Sequence, residues 1–155
     1  MQALLEGDMA RASEEAGVDL PTAFLSFDWL WMIRVEQIRR DPQASPGVVR
    51  AVVSLPGEVV VGHAGFHGPP DERGMVEIGY TILPEYRRQG YARAAVRELF
   101  RYATSEPGVR VIRASISPDN WASLAVIRPF GFVQVGEQWD DEDGAELIFE
   151  RELPR

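Results

Sequence analysis

Cysteine is missing from all 155 residues, so no disulfide framework and no thiolate metal site can form. Histidine is nearly as scarce. His63 and His67 are the only imidazoles; two histidines four apart on a strand do not make a metal site, so both are read as structural and no metal is expected. Apolar runs are short and interrupted, too short for a segment to cross a bilayer. The opening Met1-Gln2-Ala3-Leu4-Leu5-Glu6 lacks the charged-then-apolar layout of a signal peptide, which makes the cytoplasm the expected location. Basic charge is in deficit: 16 Lys and Arg stand against 24 Asp and Glu, a net charge of −8. Affinity for nucleic acid comes mainly from neutralising phosphates, so a chain this acidic is not expected to bind it.

What is present fits one domain spanning residues 1–155, with enough chain for a real core. Residues Leu4 to Ala16 read as a short helix ended by Gly17. Asp28 is a candidate N-cap for a second helix running to Arg40, with Trp31, Val35 and Ile38 on one face. Val48 to Leu55 and Val59 to Phe66 are β-branched runs around Pro56-Gly57-Glu58, a hairpin signal. Met75 to Leu83 is a third strand. Gly90 to Ala103 is a helix burying Ala92, Ala95, Val96, Leu99 and Ala103. Val109 to Ser117 is a fourth strand, Pro118-Asp119-Asn120 opens another helix that Gly131 ends, and Phe132 to Trp139 with Ala145 to Leu153 close the chain as a hairpin. That order makes an α/β (α+β) fold, a mixed sheet with helices on both faces.

Chemistry concentrates between Glu77 and Arg93. A strand ends at Pro84, a basic loop closes on Gly90, and a helix begins at once. Free backbone N–H groups, a helix N-terminus and several arginines then share one spot, a seat for a phosphate-bearing ligand. No Gly-Lys-Ser/Thr follows and the triple-glycine pattern is absent, so this is neither a P-loop nor a dinucleotide fingerprint. Local basic charge on an acidic chain points to a small anion rather than a polymer.

Arg87-Arg88-Gln89-Gly90-Tyr91-Ala92 resembles the Arg/Gln-x-x-Gly-x-Gly/Ala pyrophosphate motif of the GNAT acetyltransferase superfamily. Glu77-Ile78-Gly79-Tyr80 precedes it on the strand and supports the match; downstream, Asn120-Trp121-Ala122-Ser123 and Phe130-Gly131-Phe132 look like the Asn-x-x-Ser…Gly-Phe signature of the subfamily that includes the Rim-type ribosomal-protein N-terminal acetyltransferases. The resemblance covers roughly residues 48 to 153. It implies the GNAT fold, a mostly antiparallel sheet splayed at a cofactor cleft, and acetyl-CoA as donor. It also implies that the backbone of Arg88, Gln89, Gly90, Tyr91, Ala92 and Arg93 holds the pyrophosphate. Ile82 and Leu83 would pair with the pantetheine amides, Pro84 helping the strand part from its neighbour. Asn120 would bond the same arm, and Ser123 would face the thioester sulfur.

The implied activity is acetyl transfer to a primary amine, a protein N-terminus or a small molecule, by direct attack in a ternary complex. With no cysteine, an acetyl-cysteine intermediate is excluded. Glu77 is the expected base, directly or through a water; the following strand offers only Ser115 at the matching position. A tyrosine four residues after Ser123 serves many family members as the acid, but here Ile127 stands there, leaving Ser123 as donor to sulfur. Asp140 to Asp143 with Glu146 would either be a solvated turn or draw a cationic acceptor. The family's leading strand is not evident before the first helix: either it is absent or Met1 is an internal start. An uncovered sheet edge there would invite pairing with a second copy. Pro129 should break the helix that carries Ser123. The rival reading is a non-catalytic acyl-CoA-binding or sensory module on the same fold.

Overall fold

The computed structural model describes residues 1–42, 45–55, 57–141 and 144–154. Pro56 of the first hairpin turn, and Glu142 and Asp143 of the last, lie outside the described residues. Helices α1 (Gln2–Leu5) and α2 (Met9–Ala16) take the place of the single helix expected from Leu4 to Ala16. Gly7 at φ 72° turns the chain between them, and Asp8 then caps α2 by accepting Arg11 N–H at 3.0 Å. Gly17 ends α2 in the left-handed conformation, as its position in the sequence implies. A 3₁₀ turn over Thr22–Phe27 leads into α3 (Asp28–Arg40). Asp28 is therefore the first residue of that helix rather than its cap, and its carboxylate accepts from Trp29 N–H at 2.8 Å. The buried face of α3 is Leu30, Trp31 and Arg34.

A short helix, α4 (Ser45–Val48), precedes strands β1 (Arg50–Ser54), β2 (Val59–Phe66) and β3 (Met75–Ile82). Helix α5 (Tyr91–Ser105) leads to β4 (Val111–Ile116), α6 (Trp121–Ile127), β5 (Val133–Asp140) and β6 (Gly144–Glu152). The strands form one six-stranded sheet in the order β1-β2-β3-β4-β6-β5. Every neighbouring pair is antiparallel except β3 with β4. Alternation along the strands sends Ala64, Phe66, Val76, Ile78, Ala114 and Ile116 to one face, under Ala95, Val96, Leu99 and Ala103 of α5 and Ile127 of α6. Ala92 is only half-buried, because α5 has barely reached the sheet at its second residue. The opposite face packs Val60 and Leu83 against Leu4, Ala12, Phe24, Leu30 and Trp31.

One irregularity positions the site. Strands β3 and β4 pair over three residues only: Met75 with Val111, Val76 with Ile112, Glu77 with Arg113. Beyond that point β3 continues against β2 as far as Ile82, while β4 continues against β6 as far as Ile116. The sheet therefore opens into a wedge between Ile78–Ile82 and Ala114–Ile116. Pro84 is not its cause. The strands part six residues earlier, and Leu83 N–H still reaches Val61 C=O at 2.9 Å.

Candidate active site

The wedge follows from backbone alternation. In an antiparallel pair, successive residues turn their N–H and C=O groups to opposite sides. Leu83 N–H bonds Val61 C=O, and His67 N–H bonds Glu77 C=O at 2.8 Å. The intervening Gly79 and Thr81 therefore face β2, and Ile78, Tyr80 and Ile82 direct their backbone groups into the wedge. The Ile82 carbonyl is occupied by Arg87 Nε at 3.0 Å. Leu83 has both backbone groups engaged, its carbonyl accepting from Tyr86 N–H at 2.9 Å. The unpaired edge thus centres on Tyr80 and the Ile82 N–H, slightly upstream of the Ile82–Leu83 pair expected from the sequence.

The basic loop leaves this edge through a 3₁₀ turn at Pro84–Tyr86. Arg88 at φ 62° and Gly90 at φ 89° are both left-handed. A non-glycine residue in that region is uncommon and costs strain that the surroundings must offset. Two left-handed residues flanking Gln89 turn the loop onto the N-terminus of α5, the kind of backbone that forms an N–H nest for an anion. Gly90 has no side chain to cap the helix, so the first N–H groups of Tyr91, Ala92 and Arg93 remain available. A Cβ on Gly90 would meet nothing within 4 Å, which leaves room for a group to approach the backbone. Tyr91 is anchored by its hydroxyl to Ser54 Oγ at 3.0 Å. Arg93 turns away to donate to Ala125 C=O at 3.3 Å. Arg87 is already held by Ile82, whereas Arg88 is exposed and makes no ion pair among the described residues.

On the other wall, Asn120 caps α6 by accepting Ser123 N–H at 3.0 Å. Its Nδ2 keeps no acceptor among the described residues. Pro129 acts as expected: α6 stops at Ile127 and a 3₁₀ turn covers Arg128–Phe130. Ile127 is core, 2% exposed. A phenol arrives instead from β3, where Tyr80 Oη donates to Ser123 C=O at 3.4 Å. Burial pushes the Tyr80 phenol above its ordinary pKa, keeping it a donor.

A cavity of about 410 Å³ fills the wedge on the α3 side, lined by Tyr80, Ser115, Asn120, Ser123, Arg34, His63, His67 and Glu146 among others. Glu77 is not on its surface; it sits at the apex of the wedge with Oε1 3.7 Å from His67 Nδ1. The His67 ring lies over β3 so closely that a Cβ on Gly79 would fall 2.6 Å from Nε2. The sequence reads His67 as structural; the geometry places it between Glu77 and the cavity. The pairing comes from the β2–β3 register, which no local spacing reveals. His63 is structural in the expected sense. Phe24, Phe27 and Trp31 surround it with ring centroids at 5.7, 5.0 and 5.4 Å. Burial, with Arg34 adding to it, lowers its pKa to about 4. Ser115 Oγ is buried without a partner among the described residues. No group of three or more metal-ligating side chains occurs among them either.

Comparison with known proteins supplies the context. A family model described as an acetyltransferase (GNAT) domain matches residues 23–133. The N-acetyltransferase YjdG of Bacillus subtilis, itself uncharacterised, is 39% identical over 74 residues, 48% of this chain and 44% of that protein. The match thus spans less than half the length of such relatives. The ribosomal-protein-S5-alanine acetyltransferase of Vibrio fischeri superposes with a TM-score of 0.65 at 18% identity, over 87% of this chain and 76% of that one. The putative acetyltransferase yncA of Salmonella typhimurium, solved with acetyl-CoA, superposes with a TM-score of 0.53 at 23% identity, over 62% of this chain and 60% of that one.

Proposed function

The chain belongs to the GNAT acetyltransferase family, and from that premise we propose that it transfers the acetyl group of acetyl-CoA to a primary amine by direct attack in a ternary complex. The observation that carries this reading is the continuity of the wedge. An unpaired β3 edge leads from Tyr80 to the nest at Arg88–Gly90, and Ser123 faces the same opening. An extended arm could add itself to that edge as a further strand while its phosphates rest in the nest. The Asn120 Nδ2 is free to bind the arm, and exposed Arg88 supplies countercharge to the phosphates. The same motifs favour the Rim-type branch of the family.

Acetyl-CoA supplies an acyl group already activated as a thioester. The amine nitrogen forms the new C–N bond, the C–S bond breaks, and one proton must leave the amine while one reaches sulfur. Ser123 Oγ and the Tyr80 phenol are the donors on the sulfur side. Coenzyme A is a good leaving group, since thiol pKa is about 8.5. His67 is the acceptor for the amine proton, and Glu77 positions its ring through Nδ1. Glu146 on β6, which lines the cavity and accepts from Gln138 Nε2 at 2.7 Å, holds the incoming ammonium before it loses its proton. The β1 edge of the sheet offers a surface for pairing with a second copy.

Thiol release from acetyl-CoA with a panel of amines, with products identified by mass, tests the reading. All 16 basic residues are arginine, so no lysine of the protein competes as acceptor. Tight coenzyme A binding without amine-dependent release would instead favour a non-catalytic acyl-CoA-binding module.

A further inference from the structure

The charges inside the cavity describe the acceptor. Arg34 reaches it from α3 and is 7% exposed. Its Nη1 donates to His67 C=O at 3.0 Å and to Gln37 Oε1 at 2.8 Å, both neutral acceptors. Nε has no acceptor, and no carboxylate lies within ion-pair distance of the guanidinium among the described residues. A buried cation lacking an anion is costly to keep, and arginine does not relieve the cost by losing its proton. Burial does pull the Arg34 pKa below the usual arginine value. An anion brought by a ligand would satisfy this group.

The opposite charge stands in the same space. Among the described residues lining the cavity, Arg34 and Glu146 are the only arginine or carboxylate residues. His63 adjoins Arg34 but stays neutral near pH 7, adding no second positive charge. Phe27, Leu30, Val48 and Val49 make the wall beside Arg34 apolar. The cavity as a whole measures about 410 Å³ and is shared with the donor's arm along Tyr80, Asn120 and Ser123, so the acceptor's part of it is small beside ligand pockets, which run from about 300 to 1,000 Å³.

Resting on the acetyl-transfer reading above, we propose that the acceptor is a small amino carboxylate with an apolar side chain, its carboxylate at Arg34 and its amine directed along the cavity toward Glu146. A free amino acid has this chemistry. A polyamine would bring a second cation against Arg34, and a peptide N-terminus would bring a neutral amide where Arg34 lacks an anion.

The test compares L-phenylalanine, L-leucine and L-methionine with their own amides and with spermidine. Thiol release is measured alongside calorimetric binding to the coenzyme A-loaded protein. The amides forgo one charge-assisted hydrogen bond to Arg34, so their kcat/KM and affinity should be lower by about ten- to a hundredfold. Arg34→Met should collapse the acid-to-amide ratio toward one, and Arg34→Lys should keep part of it. If Arg34→Met does not fold, the wild-type ratio decides alone. Equal or better use of the amides or of spermidine overturns the proposal, as does an acid preference that survives Arg34→Met, or the absence of binding by every amino acid tried. Preferential binding of the acids with no thiol release would uphold the pocket assignment and overturn acetyl transfer instead.

Discussion

Arg93 donates through Nη2 to the carbonyl of Ala125 at 3.3 Å, the acceptor that residue 129 would satisfy in a continuous helix if it were not proline. The arginine closing the nest sequence thus caps the broken end of the helix carrying Ser123. Arg93→Met should cost about 0.5–1 kcal/mol of stability, the worth of one such bond. Affinity for coenzyme A should fall less than it does in Arg88→Met, by isothermal titration of both variants.

Gly90 offers a cleaner probe of the nest. Its φ of 89° strains any replacement, yet nothing within 4 Å would clash with a Cβ. Gly90→Ala should lose about 1–2 kcal/mol from backbone strain. Coenzyme A affinity should drop by a larger factor than urea stability explains, because the methyl fills the space the phosphates need.

For Asn120 the capping and ligand roles separate by chemistry. The cap uses Oδ1, whereas a bond to the donor's arm would use Nδ2. Asn120→Asp should keep the helix start, and Asn120→Ala should cost about 1 kcal/mol. Both should raise the KM for acetyl-CoA. An unchanged KM in Asn120→Asp would reduce this residue to a cap.

His67 and Glu77 act as a unit if one takes the proton and the other holds it. His67→Ala should lower kcat by about 10²–10³-fold, and Glu77→Gln by a smaller factor, with little change in the KM for acetyl-CoA. The double variant should lose scarcely more than His67→Ala alone. Multiplying losses would mean that the two residues serve separate purposes.

Acid should weaken the fold through His63. Its pKa falls from about 6.5 when unfolded to about 4 in place, so between those values the unfolded chain holds the extra proton. Stability is full above pH 6.5 and is lost as pH falls toward 4, by about 3 kcal/mol in all. The urea midpoint should track this window, and His63→Phe should remove that part of the slope. Glu150, whose pKa is lowered chiefly by its bond to Arg113, adds its loss only below the ordinary carboxylate range.

The nest, the α6 cap and the helix break are legible in the sequence because glycine, asparagine and proline act on their immediate neighbours. Gly90, Asn120 and Pro129 each do locally what their spacing implies. The wedge is expected but its cause is not: Pro84 marks the end of β3, whereas the opening begins at Ile78, where β3 keeps only β2 as a partner and β4 keeps only β6. Arg34, His67 and Glu146 meet in one cavity from α3, the end of β2 and β6. Residues so far apart in the chain converge only through register and helix docking, which leave no mark on nearby sequence. His67 looks like an ordinary strand histidine for that reason.

The seam at Met75–Glu77 also governs how the molecule comes apart. Backbone pairing links β1 through β3, with a register shift at Val52–Val53, and again β4 through β5, with one at Gln134–Gly136, and three residue pairs join the two blocks. Apart from that backbone bonding, the described residues join the blocks through side chains beneath α5, the Tyr80–Ser123 hydrogen bond at 3.4 Å and the Arg73–Glu150 ion pair at 3.1 Å. A donor arm laid along the open edge would extend that bonding beyond the seam. Filling the wedge should then turn two separately fraying blocks into one cooperative unit, so that amide exchange in β2 and β6 slows together.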